Sequence, residues 1–136
     1  MGHPNVCVLD GGFPKWVKES RPVECTSTSD DGFGYKLNVD KIKHYDHMKT
    51  FAEQKHFTVL DARAPDQYAA GHIDGAISFP VGKIMNMDSK TMKSADDRKA
   101  AFEAAGVDLG GEITVHCMSG VAATVLFASL SDIATG

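Results

Sequence analysis

Residues 113–127, Ile-Thr-Val-His-Cys-Met-Ser-Gly-Val-Ala-Ala-Thr-Val-Leu-Phe, constrain this chain more than any other stretch. The β-branched run Ile113-Thr114-Val115 predicts a buried strand, and the alanine-rich apolar run from Val121 to Leu130 predicts a buried helix. Cys117 stands between them. Gly120 lets the backbone fold tightly after it, so that several N–H groups of the coming helix aim at the sulfur. Unpaired amides and the helix dipole favour an anion and lower the pKa of a thiol placed there. One reading is therefore a thiolate nucleophile. The other is a small apolar filler, the usual role of an unpaired cysteine. A filler has no need of Gly120 or of the Ser119 hydroxyl, but local chemistry alone leaves both readings open.

Composition narrows the class. A chain of 136 residues, 43% hydrophobic and 24% charged, suits one globular domain with a core. A net charge of -4 and the lack of a basic cluster interleaved with aromatics argue against nucleic acid as the main partner. No run is long and apolar enough to span a bilayer, and Met1 to Val6 lacks a signal-peptide core and the hydroxyl of a myristoylation signal. The expectation is a soluble intracellular protein, cytoplasmic or mitochondrial, with no membrane partner. The three cysteines, Cys7, Cys25 and Cys117, are widely spaced and fit neither a disulfide framework nor a zinc knuckle. His44 and His47 lie three apart on an expected helix, but no cysteine or carboxylate cluster joins them, so no metal site and no cofactor are expected.

Taken in order, Val6 to Leu9 predicts a short buried strand, Asp10-Gly11-Gly12 a turn, and Phe13, Trp16 and Val17 one face of a helix closed by Pro22. Residues 23–35 are small and polar and read as a linker between a segment 1–22 and a main domain 36–136. In that domain Ile42, Tyr45, Met48, Phe51 and Ala52 predict an amphipathic helix that Asn38 or Asp40 can cap. Phe57 to Leu60 predicts a strand, Pro65 to Tyr68 a short helix, and Ala76 to Phe79 another strand. A helix capped by Ser94 and stopped at Gly106 leads back to the opening stretch. The alternation predicts an α/β fold with Cys117 at the carboxyl edge of its strand, where open sheets bind ligands.

Three motifs now combine. Asp61-Ala-Arg63, Tyr68-Ala-Ala-Gly-His-Ile-Asp-Gly-Ala76 and Cys117-Met-Ser-Gly-Val-Ala122 together resemble the rhodanese domain of sulfurtransferases, in the mercaptopyruvate and thiosulfate branch. Val8 to Trp16 resembles the end of the first repeat of such two-repeat enzymes, and residues from about Lys36 onward resemble the second, catalytic repeat. The resemblance implies a three-layer α/β/α fold around a mainly parallel sheet. It implies a Cys117 thiolate that takes sulfane sulfur from mercaptopyruvate or thiosulfate as a persulfide and passes it to cyanide or a thiol acceptor. A thioredoxin-like reductant is one such partner. The amides from Met118 through Gly120 and Val121 to Ala122 would surround the sulfur, and the Ser119 hydroxyl would donate to it or to substrate. Asp61 and Arg63 would form a strand-end ion pair, and His72 would fix its turn through a backbone hydrogen bond. His116, on the strand before the cysteine, is expected on the opposite side from it, in the core or just behind the site.

The chain also departs from this family. Gln67 stands where the first substrate-binding arginine is expected, the segment carrying the second is absent, and Met118 replaces a loop glycine. A rhodanese domain is also expected to end in one more strand and helix, of the form Val-x-x-Asp-Gly-x-x-x-Trp. The chain stops before it, and Val6 to Trp16 carries that pattern instead. The N-terminal segment is thus expected to complete the sheet, either folded back as a circular permutant or swapped between two chains. Two other readings compete. His116-Cys117-x-x-Gly120-x-x-Ala123-Thr124 matches a cysteine-phosphatase loop except for its arginine, and Ala123 cannot clamp a phosphoryl group. A non-catalytic binding or redox module of the same fold is the other.

Overall fold

The computed structural model describes residues 7–24 and 38–135. Cys25 and nearly all of the expected linker lie outside the described residues, as does Val6. Three strands, β1 (Thr58–Asp61), β2 (Ile77–Ser78) and β5 (Ile113–His116), form one parallel sheet in the order β2-β1-β5. β1, the central strand, is the most deeply buried of the three, as a parallel strand covered by helices on both faces is expected to be. Neighbouring residues of β1 serve different faces: Leu60 packs with Phe79, Phe102 and Leu126, while Val59 packs with Phe51, Phe57 and Ala76. This is the three-layer α/β/α arrangement expected from the sequence.

On one face lie α4 (Ala95–Ala104) and α5 (Val121–Thr135). Ser94 caps α4 as expected, its Oγ accepting the Asp97 N–H at 3.1 Å, and Gly106, at φ 78, ends the turn beyond it. Phe102 projects from α4 and stacks on Phe79 with ring centroids 4.5 Å apart. Both rings are fully buried, a gain of about 1.5–3 kcal/mol each over exposure. Arg98, also buried, ties the two helices together: its guanidinium donates to Ser129 Oγ at 3.1 Å and to Asp132 Oδ2 at 2.5 Å.

On the other face α2 (Tyr45–Gln54) brings Met48 and Phe51 against Phe57 and Val59. The helix begins later than the periodicity predicts. Asn38 caps instead a single 3-10 turn, Val39–Lys41, by accepting the Asp40 N–H, and Ile42 is extended beyond it. His44 is the residue before α2, and His47 stacks on Phe57 at 4.9 Å.

Of the strand expected at Val6 to Leu9, the described residues Cys7, Val8 and Leu9 are exposed and join no sheet, so among the described residues the N-terminal segment does not fold back to complete the sheet. The predicted turn and helix do form, as α1 (Gly12–Lys18), with the Trp16 Nε1–H donating to the Pro22 carbonyl. Asp10 anchors the segment elsewhere: its Oδ1 accepts the Met92 N–H at 2.8 Å. Met92 belongs to a small antiparallel pair, β3 (Met85–Asn86) with β4 (Thr91–Met92), that the sequence reading did not foresee. Its two-residue strands are too short to leave a periodic trace.

Candidate functional site

β1 and β5 run parallel with Asp61 level with His116, so both strands deliver their last residues to the same edge of the sheet. Cys117 follows immediately. Three residues on, Gly120 takes φ 90, a conformation that L side chains rarely adopt, and α5 starts at Val121. This turn directs the free amides of the first turn of α5 back at the sulfur. Cys117 Sγ accepts the Gly120 N–H at 3.1 Å and the Ala123 N–H at 3.4 Å. Burial pushes the thiol up, but the backbone N–H groups of Ala123, Ser119, Gly120 and Ala122 outweigh it and hold the pKa below the ordinary thiol value. Cys117 is only half-buried. It therefore ionises more readily than an ordinary thiol and is reachable.

The loop differs in detail from the expected cradle of Met118 to Ala122. Met118 and Val121 stand exposed on the rim, at 73% and 71%. Neither gives the sulfur a hydrogen bond among the described contacts, and no bond joins the Ser119 hydroxyl to it. Ala123 is the residue that sequence reasoning missed. A signal for it existed: with the helix starting at Val121, Ala123 is its third residue, whose N–H has no partner within the helix.

Behind the loop, Asp61 is fully buried at the end of β1. The Arg63 guanidinium donates to both carboxylate oxygens, with Nη2 at 2.6 Å from Oδ2, and the Arg63 backbone N–H adds a bond to Oδ1. Burial raises the pKa of Asp61; the Arg63 bonds, with a smaller contribution from His116, more than reverse this and hold it below the usual carboxylate range. Arg63 also donates to the Gly71 carbonyl at 2.7 Å, so the pair fixes both ends of α3 (Pro65–Ala70). His72 closes the same turn: its Nδ1 donates to the Tyr68 carbonyl at 2.9 Å, and its ring stacks on Tyr68 at 3.7 Å. His116 Nε2 lies 3.6 Å from Asp61 Oδ2, on the side of the sheet occupied by Asp61. Gln67 turns back within α3, its Oε1 accepting the Ala64 N–H at 3.4 Å.

The structure thus gathers Cys117, Ser119, Gly120, Ala122 and Ala123 around one sulfur, with Asp61, Arg63 and His116 behind them and His72 in the adjoining turn. Among the described residues no three His, Cys, Asp or Glu side chains come together as a metal site. No described helix is long and apolar enough to cross a membrane.

The chain as a whole has relatives among known proteins. The rhodanese-like domain family matches residues 44–134, from the residue before α2 almost to the end of α5. The chain belongs to the rhodanese family. This rhodanese domain is 32% identical over 137 residues to thiosulfate sulfurtransferase of Bos taurus, an alignment covering 90% of the chain and 46% of that protein. It is 32% identical over 144 residues to the putative thiosulfate sulfurtransferase SseB of Mycobacterium tuberculosis, covering 97% of the chain and 50% of that protein. It is 30% identical over 139 residues to the sulfur carrier protein TtuD of Thermus thermophilus, covering 85% and 48%. The chain spans about half the length of these curated relatives. The crystal structure of SseA from Escherichia coli, a 3-mercaptopyruvate sulfotransferase with a rhodanese fold, aligns with a TM-score of 0.81 over 92% of this chain and 50% of its own, at 23% identity. That likeness establishes the fold.

Proposed function

We propose that this rhodanese domain is a sulfurtransferase that moves sulfane sulfur through a persulfide on Cys117. The reading rests on one observation above all: a half-exposed sulfur that accepts two backbone N–H groups at the start of a helix, with its pKa lowered by them. In the first half-reaction the thiolate attacks the outer sulfur of thiosulfate; a sulfur–sulfur bond forms, the donor's sulfur–sulfur bond breaks, and sulfite leaves with the electron pair. With mercaptopyruvate the carbon–sulfur bond breaks instead, and the departing enolate takes a proton to become pyruvate. In the second half-reaction cyanide or a thiolate attacks the terminal sulfur, and the Cys117 thiolate departs unchanged. The cradle serves both anions, since amides fixed by the fold stabilise thiolate and persulfide without reorganising. Ser119, at the loop rim, is assigned to the bound donor.

A second reading, a binding or redox module, draws on Gln67. It stands where the resemblance expects a donor-binding arginine, and its side chain is turned to the Ala64 amide. The two readings separate by intact-mass spectrometry after incubation with thiosulfate and, separately, with mercaptopyruvate. A sulfurtransferase gains the mass of one sulfur atom, loses it to cyanide, and gains nothing as Cys117→Ser. A folded wild type that gains nothing from either donor is a module.

A further inference from the structure

β5 ends in two anchors, one of backbone and one of side chain. The carbonyl of its last residue, His116, accepts the Ala62 N–H at 2.9 Å. The His116 side chain lies on the same face of the sheet as that of Asp61, its register partner on β1. There its Nε2 comes within 3.6 Å of Asp61 Oδ2, beyond hydrogen-bond length and within reach of an electrostatic contact. Nε2 is buried and makes no hydrogen bond among the described residues. Such an atom costs stability that an apolar side chain in its place would not, so packing alone does not account for a histidine here.

Other charges stand near the ring. His116 also lines a cleft that carries Asp40, Lys41, Lys43 and Glu112, but Lys43 and Glu112 are paired with each other at 2.8 Å, and Nε2 is shut off from solvent. Asp61 is the fixed point. It is fully buried, the Arg63 guanidinium donates to both of its oxygens, and the same guanidinium reaches on to the Gly71 carbonyl. On the other side of His116 the next residue is Cys117. The sulfur hangs from the end of β5, whereas the amides that hold it, those of Gly120 and Ala123, are set by the start of α5. Their bonds of 3.1 and 3.4 Å therefore depend on where β5 stops.

We infer that His116 is a positioning residue for the thiolate: its Nε2–H, aimed at Asp61, fixes the end of β5 so that Cys117 stays in register with the α5 amides. The inference rests on the sulfurtransferase reading of Cys117 and adds to it a side chain on the far face of the sheet. An imidazole nitrogen this close to a carboxylate oxygen has to carry a proton, because a lone pair there would be repelled. Neutral His116 is then the Nε2–H tautomer.

Two experiments on the full chain test this. Imidazole nitrogen NMR of the wild type is expected to show neutral His116 protonated at Nε2; an Nδ1–H tautomer overturns the inference. The second compares wild type, His116→Gln and His116→Leu by Cys117 alkylation against pH and by persulfide formation from thiosulfate. Glutamine brings an amide N–H to the place of Nε2, while leucine fills the space without a donor. His116→Leu is expected to raise the alkylation midpoint by about half a pH unit, making alkylation near neutral pH roughly threefold slower. Sulfur uptake is expected to slow about tenfold, the scale of a sub-ångström misplacement. His116→Gln is expected to stay within about twofold of wild type on both readouts. A histidine that only packs gives the reverse order, with leucine the better substitute. An unmoved midpoint in His116→Leu overturns the inference, and so does a His116→Gln that fails as His116→Leu does. A wild type that takes up no sulfur ends the sulfurtransferase reading alone, and the midpoints and the tautomer still decide this one. If circular dichroism shows His116→Leu unfolded, the tautomer and the His116→Gln midpoint carry the test.

Discussion

The Ala123 amide points at Cys117 Sγ from 3.4 Å, six residues along the chain and one turn into a helix that the cysteine itself precedes. The contact makes the thiol an end-cap of α5, so the helix and the thiolate stabilise each other. A pKa lowered in the folded state means that Cys117 ionises at lower pH than a free thiol. Its contribution to stability is fully present above the unfolded value of about 8.5 and is lost as pH falls through the folded one. Alkylation followed by mass spectrometry against pH is expected to show Cys117 reacting with a midpoint below that of a free cysteine derivative alkylated in the same buffers. Equal midpoints would remove the case for a primed nucleophile.

Gly120 isolates the role of backbone conformation. A Cβ built there meets nothing within 4 Å, so space is not the constraint; φ 90 is. Gly120→Ala is expected to cost about 1–2 kcal/mol, the penalty of a left-handed L residue, or to relax the turn and withdraw the 3.1 Å amide from the sulfur. Thermal melts measure the first outcome. An upward move of the Cys117 alkylation midpoint measures the second.

How much of this could be read in advance depends on the range of each signal. The strand–cysteine–helix stretch declared itself because two strong local patterns meet at Cys117, and the Ser94 cap and Gly106 stop were legible for the same reason. Val6 to Leu9 misled, because a β-branched run reports readiness to pair and nothing about whether a partner edge lies within reach. Arg98 gave no sign of its burial: its partners Ser129 and Asp132 lie more than thirty residues away, on a helix whose orientation only the folded sheet defines. Ser119 was readable as a loop residue, but not that its hydroxyl leaves the sulfur to backbone amides.

Asp61 and Arg63 form the pair whose loss should be felt furthest. Asp61 is fully buried, so removing the Arg63 guanidinium leaves its carboxylate with only the backbone N–H of residue 63 and the nearby His116, a cost of up to about 3–5 kcal/mol. Arg63→Met also frees the Gly71 carbonyl, loosening the turn that holds His72. The pH dependence follows from the depressed pKa of Asp61: its stabilisation is present above the unfolded value of about 3.9 and disappears as pH falls through the folded one. Denaturant melts from pH 7 down to pH 2 are expected to show a wild-type loss that sets in below about pH 4. In Arg63→Met the stability at pH 7 is already low, and the loss on acidification is shallower. Parallel curves would mean that the pair contributes little.

Ser119 separates activation of the sulfur from recognition of the donor. Its backbone helps lower the thiol pKa, while its hydroxyl makes no bond to Sγ. Ser119→Ala keeps the backbone and removes only the hydroxyl, so the Cys117 alkylation rate and its midpoint are expected to stay within about twofold of wild type, a difference below 0.5 kcal/mol. Sulfur uptake from thiosulfate, followed as persulfide formation, is expected to fall about tenfold or more, the loss of one hydrogen bond to a charged group. The two readouts must diverge for the assignment to hold. If alkylation and uptake fall together, the hydroxyl acts on the thiolate itself; if neither changes, Ser119 contributes only its amide, and donor recognition lies with other residues at the rim.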